Sequence, residues 1–398
     1  MRRMRLPLVS AIAMALLVGS AIGVAGQEDT EPTTTDELLA GFVTEEVEPG
    51  VLRVVSDGFH DLDDIGGTIA AGLDGNVWVF DQRAFFRLGD EGSHDWPERA
   101  RRGITGRLPR IEVGPDGTIW HAQEYFGPPG GPAFRLRSFD GDSWTVRKGP
   151  PLDLAVVWRI EQTPDGTLWA LWENKNEEWV LARLDGDRWR KFADIPIQGD
   201  IPQHEDLIGF AADAKPWFRN RDRLLGPDAD AYRRHDVPDG FGLGRSAVGP
   251  DGSVWSVLHY EGEVGPAILH RFDGSDWERY DWSEGLPLYR LPPYFGRPYP
   301  HNGLLFGFFI GASNGLWLNP GVAGSEGVEI IYGRQIGGPC GGVAHFDGDT
   351  LSNYLTDQCI HSMDVAADGI AWVLASDEPD GPAARIYIIT PEAVAATE

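Results

Sequence analysis

Two stretches of the sequence set a histidine beside carboxylates: His121-Ala122-Gln123-Glu124-Tyr125-Phe126 and His259-Tyr260-Glu261-Gly262-Glu263. An imidazole titrates near neutral pH, so beside a carboxylate it can pass a proton. A third stretch, Trp172-Glu173-Asn174-Lys175, and the neighbours Tyr125 and Tyr260 put aromatic rings among polar groups, which suits stacking on a sugar or a planar ligand. A fourth, from Trp282 to His301, holds Tyr289, Arg290, Tyr294, Phe295, Arg297 and Tyr299 among prolines. Long stiffened loops are often functional, and Tyr and Arg concentrate where binding energy does. Arg290 and Arg297 stand out in an acidic chain and would capture an acidic ligand group. The catalytic candidates are therefore His121, Glu124, His259 and Glu261. The ligand-binding candidates are Tyr125, Trp172, Tyr260, Arg290, Tyr294, Arg297 and His301. The competing reading is solvated loop residues with local hydrogen bonds and, for the fourth stretch, a lid. No metal-ligand spacing is recognisable and no cofactor is required, although a divalent ion would suit the His–carboxylate pairs. A Gly-x-x-x-x-Gly-Lys-Ser/Thr phosphate loop is absent from the sequence.

The elements that must position these residues follow from a repeat. Asp-Gly-x-x-Trp recurs at Asp74–Trp78, Asp116–Trp120, Asp165–Trp169, Asp251–Trp255 and Asp368–Trp372. Degenerate copies stand at Asp213–Trp217 and Ser313–Trp317. The tryptophans step by 42, 49, 48, 38, 62 and 55 residues, the period of a propeller, solenoid or array. A second Asp-Gly follows most copies, at Asp140, Asp185, Asp273 and Asp347. Asp-Gly between β-formers signals a tight hairpin, so each unit is two hairpins, or four strands. Seven such units predict an all-β fold: a seven-bladed β-propeller of four-stranded antiparallel blades. An open solenoid is the alternative, and it would need polar capping repeats. The last unit supplies three strands, at Ser362–Ala367, Ile370–Ala375 and Arg385–Thr390, and Val51–Val55 is a strand without a partner. The N-terminal strand is expected to complete the last blade and close the ring.

Asp-Gly-x-x-Trp blades with Glu284-Gly285-Leu286-Pro287 between two of them resemble the two-component-regulator propeller repeats, over about residues 50 to 390. The resemblance implies an extracytoplasmic sensor or binding propeller, here a stand-alone secreted one. A fainter similarity is to streptogramin lyases, seven-bladed propellers that use His and Glu at the ring mouth.

In such a ring the Asp-Gly turns share one face, and their carboxylates read as turn formers. The longer connections, and with them the candidate residues, share the other face. Variable loops on a rigid frame favour a binding site there. The expected function is binding of a protein, glycan or small ligand through that face. The alternative is a lyase or hydrolase with His and Glu at the channel mouth.

The ends of the chain have their own logic. Arg2, Arg3 and Arg5 precede an uncharged stretch ending in small residues, so residues 1–26 read as a secretory signal, or as a membrane anchor if uncleaved. No cysteine follows the apolar core, which excludes lipoprotein processing. Residues 27–48 carry eight acidic residues and no basic one and read as a disordered spacer. The propeller is expected over 49–391, with a tail over 392–398. A net charge of −27 argues against nucleic-acid binding and against docking on anionic lipid. The expected location is secreted or cell-envelope, the expected state a monomer without membrane insertion after signal cleavage. In an oxidising compartment Cys340 and Cys359, the chain's two cysteines, are expected to bridge.

Overall fold

The computed structural model describes the strands and most tight turns between residues 39 and 390. The longer stretches outside the described residues are 1–38, 96–109, 193–206, 281–308, 319–328 and 391–398. Two strands come first, β1 (Val43–Glu48) and β2 (Val51–Ser56). Blade 1 is β3 (Gly67–Ala71), β4 (Val77–Asp81), β5 (Ala84–Arg87) and β6 (His94–Asp95). Blade 2 is β7 (Arg110–Val113), β8 (Ile119–Gly127), β9 (Gly131–Phe139) and β10 (Trp144–Arg147). Blade 3 is β11 (Leu154–Gln162), β12 (Leu168–Asn174), β13 (Trp179–Asp185) and β14 (Arg188–Lys191). Blade 4 is β15 (Leu207–Phe210), β16 (Pro216–Asn220), β17 (Arg223–Asp228) and β18 (Ala231–Asp236). Blade 5 is β19 (Phe241–Val248), β20 (Val254–Tyr260), β21 (Ile268–Phe272) and β22 (Trp277–Arg279). Blade 6 is β23 (Phe309–Ala312), β24 (Gly315–Leu318), β27 (Val343–Phe346) and β28 (Leu351–Tyr354), with a hairpin, β25 (Glu329–Ile331) and β26 (Arg334–Ile336), inserted between its second and third strands. Blade 7 is β29 (Cys359–Val365), β30 (Ala371–Ser376) and β31 (Arg385–Ile389), completed by β2. The fold is a seven-bladed β-propeller.

The repeat builds each blade through its first turn. In blade 5 the Asp251 carboxylate accepts the Ser253 backbone N–H at 3.0 Å and the Ser253 hydroxyl at 2.6 Å, and Gly252 takes φ +82°. The motif tryptophans that follow, Trp78, Trp120, Trp169, Trp217, Trp255, Trp317 and Trp372, are all buried. Seven hydrophobic clusters fill the ring, one at each junction between neighbouring blades. Trp372 and Leu374 of blade 7 meet Val77 and Val79 of blade 1 in the seventh. An open stack of seven units would have six such junctions, so the seventh distinguishes a ring from a solenoid.

β2 pairs with β31 as the fourth strand of blade 7, Val51 opposite Ile389 and Arg53 opposite Tyr387. The acidic spacer expected over 27–48 ends early: Val43–Glu48 is β1, a fifth strand paired to β2. Its Val and Thr residues favour a pleated strand. The ring of Phe42 stands edge-on to Trp372 at 6.0 Å, which pins the entry to this strand on the core between blades 7 and 1. Among the described residues no helix is long and apolar enough to cross a membrane.

Candidate functional site

The first strand of each blade lines the central channel, and one of its positions, four residues before the turn Asp, carries acid in three blades. These are Glu112, Glu161 and Asp364; the equivalent residues of blades 1, 4 and 5 are Ala70, Gly209 and Ala247. Glu112 Oε1 accepts the Gln162 N–H of blade 3 at 3.0 Å. Asp364 Oδ2 accepts the Ala71 N–H of blade 1 at 2.9 Å, and Ser362 Oγ accepts the Ile69 N–H at 3.2 Å. Arg159 donates to the Leu207 carbonyl of blade 4 at 2.7 Å and pairs with Glu161 at 2.6 Å. Innermost strands have no further strand to pair with, and neighbouring blades supply the missing partners.

Two of the carboxyls act on the third. Burial, with the charges of Glu161 and Asp364 adding to it, pushes Glu112 up to about 8, against the pull of the Gln162 N–H and Arg159. Asp364 rises to about 6 through burial, opposed by the Ala71 and Val365 N–H groups. Glu161 is raised by burial and held back by Arg159. Sequence reasoning missed this set because its members are separated by 49 and 203 residues. The usable signal was their common offset from the Asp-Gly turn.

At the channel mouth, on the long-loop side, two further arrangements are described. In blade 5, Phe241 and Tyr260 pair across the first and second strands, their half-buried rings 4.5 Å apart at 33°. In blade 7, a β-bulge between Ile360 and Ser362 takes His361 out of the ladder. Its Nε2 lies 2.6 Å from Ser376 Oγ. Bulges re-aim side chains, and register shifts between the first two strands recur in blades 3, 4 and 5. Gln358 donates to Asp377 at 3.0 Å, and Asp377 pairs with Arg385 at 3.1 Å.

The sequence candidates fare unevenly. His121 is not on a loop: β8 runs nine residues, to Gly127, and places His121 one residue after the motif Trp, 1 % exposed. Burial, then the Arg137 charge, pushes it down to about 3, so it is neutral near pH 7. Its ring stands edge-on to Trp144 at 5.9 Å. Trp172 is likewise strand and core, 1 % exposed and 6.0 Å from Trp189, not a ligand platform. Glu124 and Tyr125 lie farther along β8, opposite Phe134 and Ala133. His259 is the penultimate residue of β20, opposite Gly242. The two histidine clusters are thus not equivalent: His121 follows its motif Trp by one residue and His259 by four, roughly 10 Å apart along a strand. Glu261, Arg290, Tyr294, Arg297 and His301 lie outside the described residues. So does Cys340; Cys359 is 1 % exposed, and among the described residues no cysteine is free. Among the described residues no group of three or more His, Cys, Asp and Glu is arranged to hold a metal ion.

No family model matches the chain, and no curated protein matches it. Solved structures do. An oligogalacturonate lyase from Vibrio parahaemolyticus superposes with a TM-score of 0.51 at 10 % identity, over 87 % of this chain and 96 % of that one. A streptogramin B lyase gives 0.49 at 16 % identity, over 88 % and 98 %. YCF48 bound to D1 peptide gives 0.46 at 12 % identity, over 88 % and 99 %. At such identities the likeness shows the fold alone, that of a β-propeller, and it does not support the closer assignment to two-component-regulator repeats.

Proposed function

We propose that this chain is an exported, stand-alone propeller that binds a protein, glycan or small ligand at its long-loop face, in the manner of the two-component-regulator repeats that its blades resemble. One observation carries the reading, the difference between the two faces. On the short-turn face the repeated carboxylates are engaged by their own turns. Asp140 accepts the Ser143 N–H at 2.8 Å, Asp165 the Thr167 N–H at 3.0 Å and Asp347 the Thr350 N–H at 2.8 Å. Those hydrogen bonds hold the Asp140 carboxyl below the usual carboxylate range. The long-loop mouth instead presents the Phe241–Tyr260 ring pair and the bulged His361.

Thermal shift of the exported chain against oligosaccharides, peptides and divalent ions tests this. A ligand that raises the melting point should lose its effect in Tyr260→Ala or Arg297→Ala and keep it in Asp142→Asn on the short-turn face. The opposite pattern would place the site on the wrong face. Export itself is checked by N-terminal sequencing of secreted protein, with a new terminus expected near residue 27.

A further inference from the structure

We propose that the outer edge of β1 is a strand-addition site for a basic, extended peptide segment of another protein. The sheet of blade 7 runs β1-β2-β31-β30-β29, and among the described residues nothing pairs with the outer side of β1. A sheet edge offers a row of backbone donors and acceptors to any chain that can lie alongside it. The strand is firmly placed. Glu48 accepts the Leu355 N–H of blade 6 at 2.7 Å, Glu46 accepts the Gly50 N–H at 3.1 Å, and Glu45 pairs with Arg53 at 2.7 Å.

The side chains at this edge are unusual for the molecule. Large hydrophobic residues are exposed at four described positions: two are on β1, Val43 at 60 % and Val47 at 44 %, and a third, Val55 at 44 %, is on the adjoining β2. The fourth, Val146, belongs to blade 2. On β1, Val43, Glu45, Glu46 and Val47 are all exposed, so an incoming strand meets apolar and acidic groups together.

Charge decides the occupant. A second copy pairing β1 against β1 would bring Glu45 and Glu46 against their own kind, and like charges across a strand pair repel. The residues joined to β1 add Glu28, Asp29, Glu31, Asp36 and Glu37 with no basic residue among them. A strand carrying Lys or Arg between apolar residues turns both features into attraction. Register shifts at Val43/Thr44 and Glu46/Glu48 keep the pairing short, so a short segment is what fits.

The test uses the exported chain and two labelled peptides, one alternating Val with Lys and one alternating Val with Glu, read by fluorescence anisotropy. The Val/Lys peptide should bind in the micromolar range, more weakly as salt rises, and the Val/Glu peptide should not. Val47→Lys, which plants a like charge on the edge, should weaken binding by about tenfold or more with an unchanged melting point; Val146→Lys should leave it unchanged. Should Val47→Lys fail to fold, Val43→Lys takes its place. Equal binding of both peptides, equal binding by both lysine variants, or no binding overturns the proposal. A dimer in sedimentation that dissolves in Val47→Lys overturns it in favour of a second copy.

Discussion

The Asp364 carboxylate accepts the backbone N–H of Ala71 at 2.9 Å, across the seam where the last blade meets the first. The two residues are 293 positions apart in sequence. At the same repeat offset, Glu112 fastens blade 2 to blade 3 through the Gln162 N–H. The channel acids therefore act first as fasteners between innermost strands, and their titration is tied to the integrity of the ring.

A pH dependence follows. Glu112 and Asp364 are both raised, mainly by burial, to about 8 and about 6. A folded value above the unfolded one means that the native state keeps the proton. The stability from these groups is whole below the ordinary carboxylate values and is lost as pH rises through about 6 and then about 8. Glu112→Gln keeps an acceptor for the Gln162 N–H and removes the charge. Calorimetric melting points should fall more steeply for the wild type than for Glu112→Gln between about pH 5 and pH 8; parallel curves would refute the coupling. The turn aspartates run the other way. Asp273 is lowered to about 2 by the Asp276 and Ser275 N–H groups, so its contribution disappears only in strong acid.

Ala214 occupies the turn position that Gly252 fills in blade 5, with φ +60° against +82°. A side chain in the left-handed region costs roughly 1 kcal/mol, partly offset by the greater freedom of glycine in the unfolded chain. Ala214→Gly should raise the urea midpoint by an amount equivalent to about 0.5–1 kcal/mol, and Gly252→Ala should lower it by about 1 kcal/mol. Two changes of the same sign would show that the turns are not equivalent.

Truncation separates the two N-terminal strands. Deleting residues 27–38 should leave the melting point unchanged. Deleting 39–48 removes β1, Phe42 and the Glu48–Leu355 hydrogen bond, and should lower it while leaving a single transition. Deleting through 56 also removes Val54 from the junction of blades 7 and 1 and should abolish cooperative unfolding. Identical melts for the last two deletions would mean that β2 does not close the ring.

A Cys340–Cys359 bridge would tie the long B–C connection of blade 6 to the first strand of blade 7. A loop of this size corresponds to roughly 3 kcal/mol in the chain-entropy model. Alkylation of unreduced secreted protein should label neither cysteine, and Cys359→Ser should lower the melting point. Two alkylated thiols would exclude the bridge.

Trp172→Ala should cost about 3–5 kcal/mol in urea unfolding, the range for emptying a core position. A loss within about 0.5 kcal/mol, typical of the surface, would return Trp172 to the candidate ligand residues.

Local chemistry determined the fold in the sequence. Asp-Gly demands a tight turn wherever it stands, and a Trp three residues beyond the Gly must be buried, so Asp116–Trp120 or Asp251–Trp255 states the blade without help from the rest of the chain. Counting seven motifs and finding Val51–Val55 unpartnered gave the ring and its closure. The same reasoning failed at His121 and Trp172, because a motif shows where a strand begins but not how far pairing carries it. β8 runs on to Gly127 because β9 lies alongside, and β12 to Asn174 between β11 and β13, so His121 and Trp172 went inside with them. The channel acids and the bulged His361 were decided by tertiary structure alone. Glu112 has a raised pKa only because the ring removes water from it and brings Glu161 and Asp364 near, and His361 meets Ser376 only because blade 7 slips register by one residue at that point.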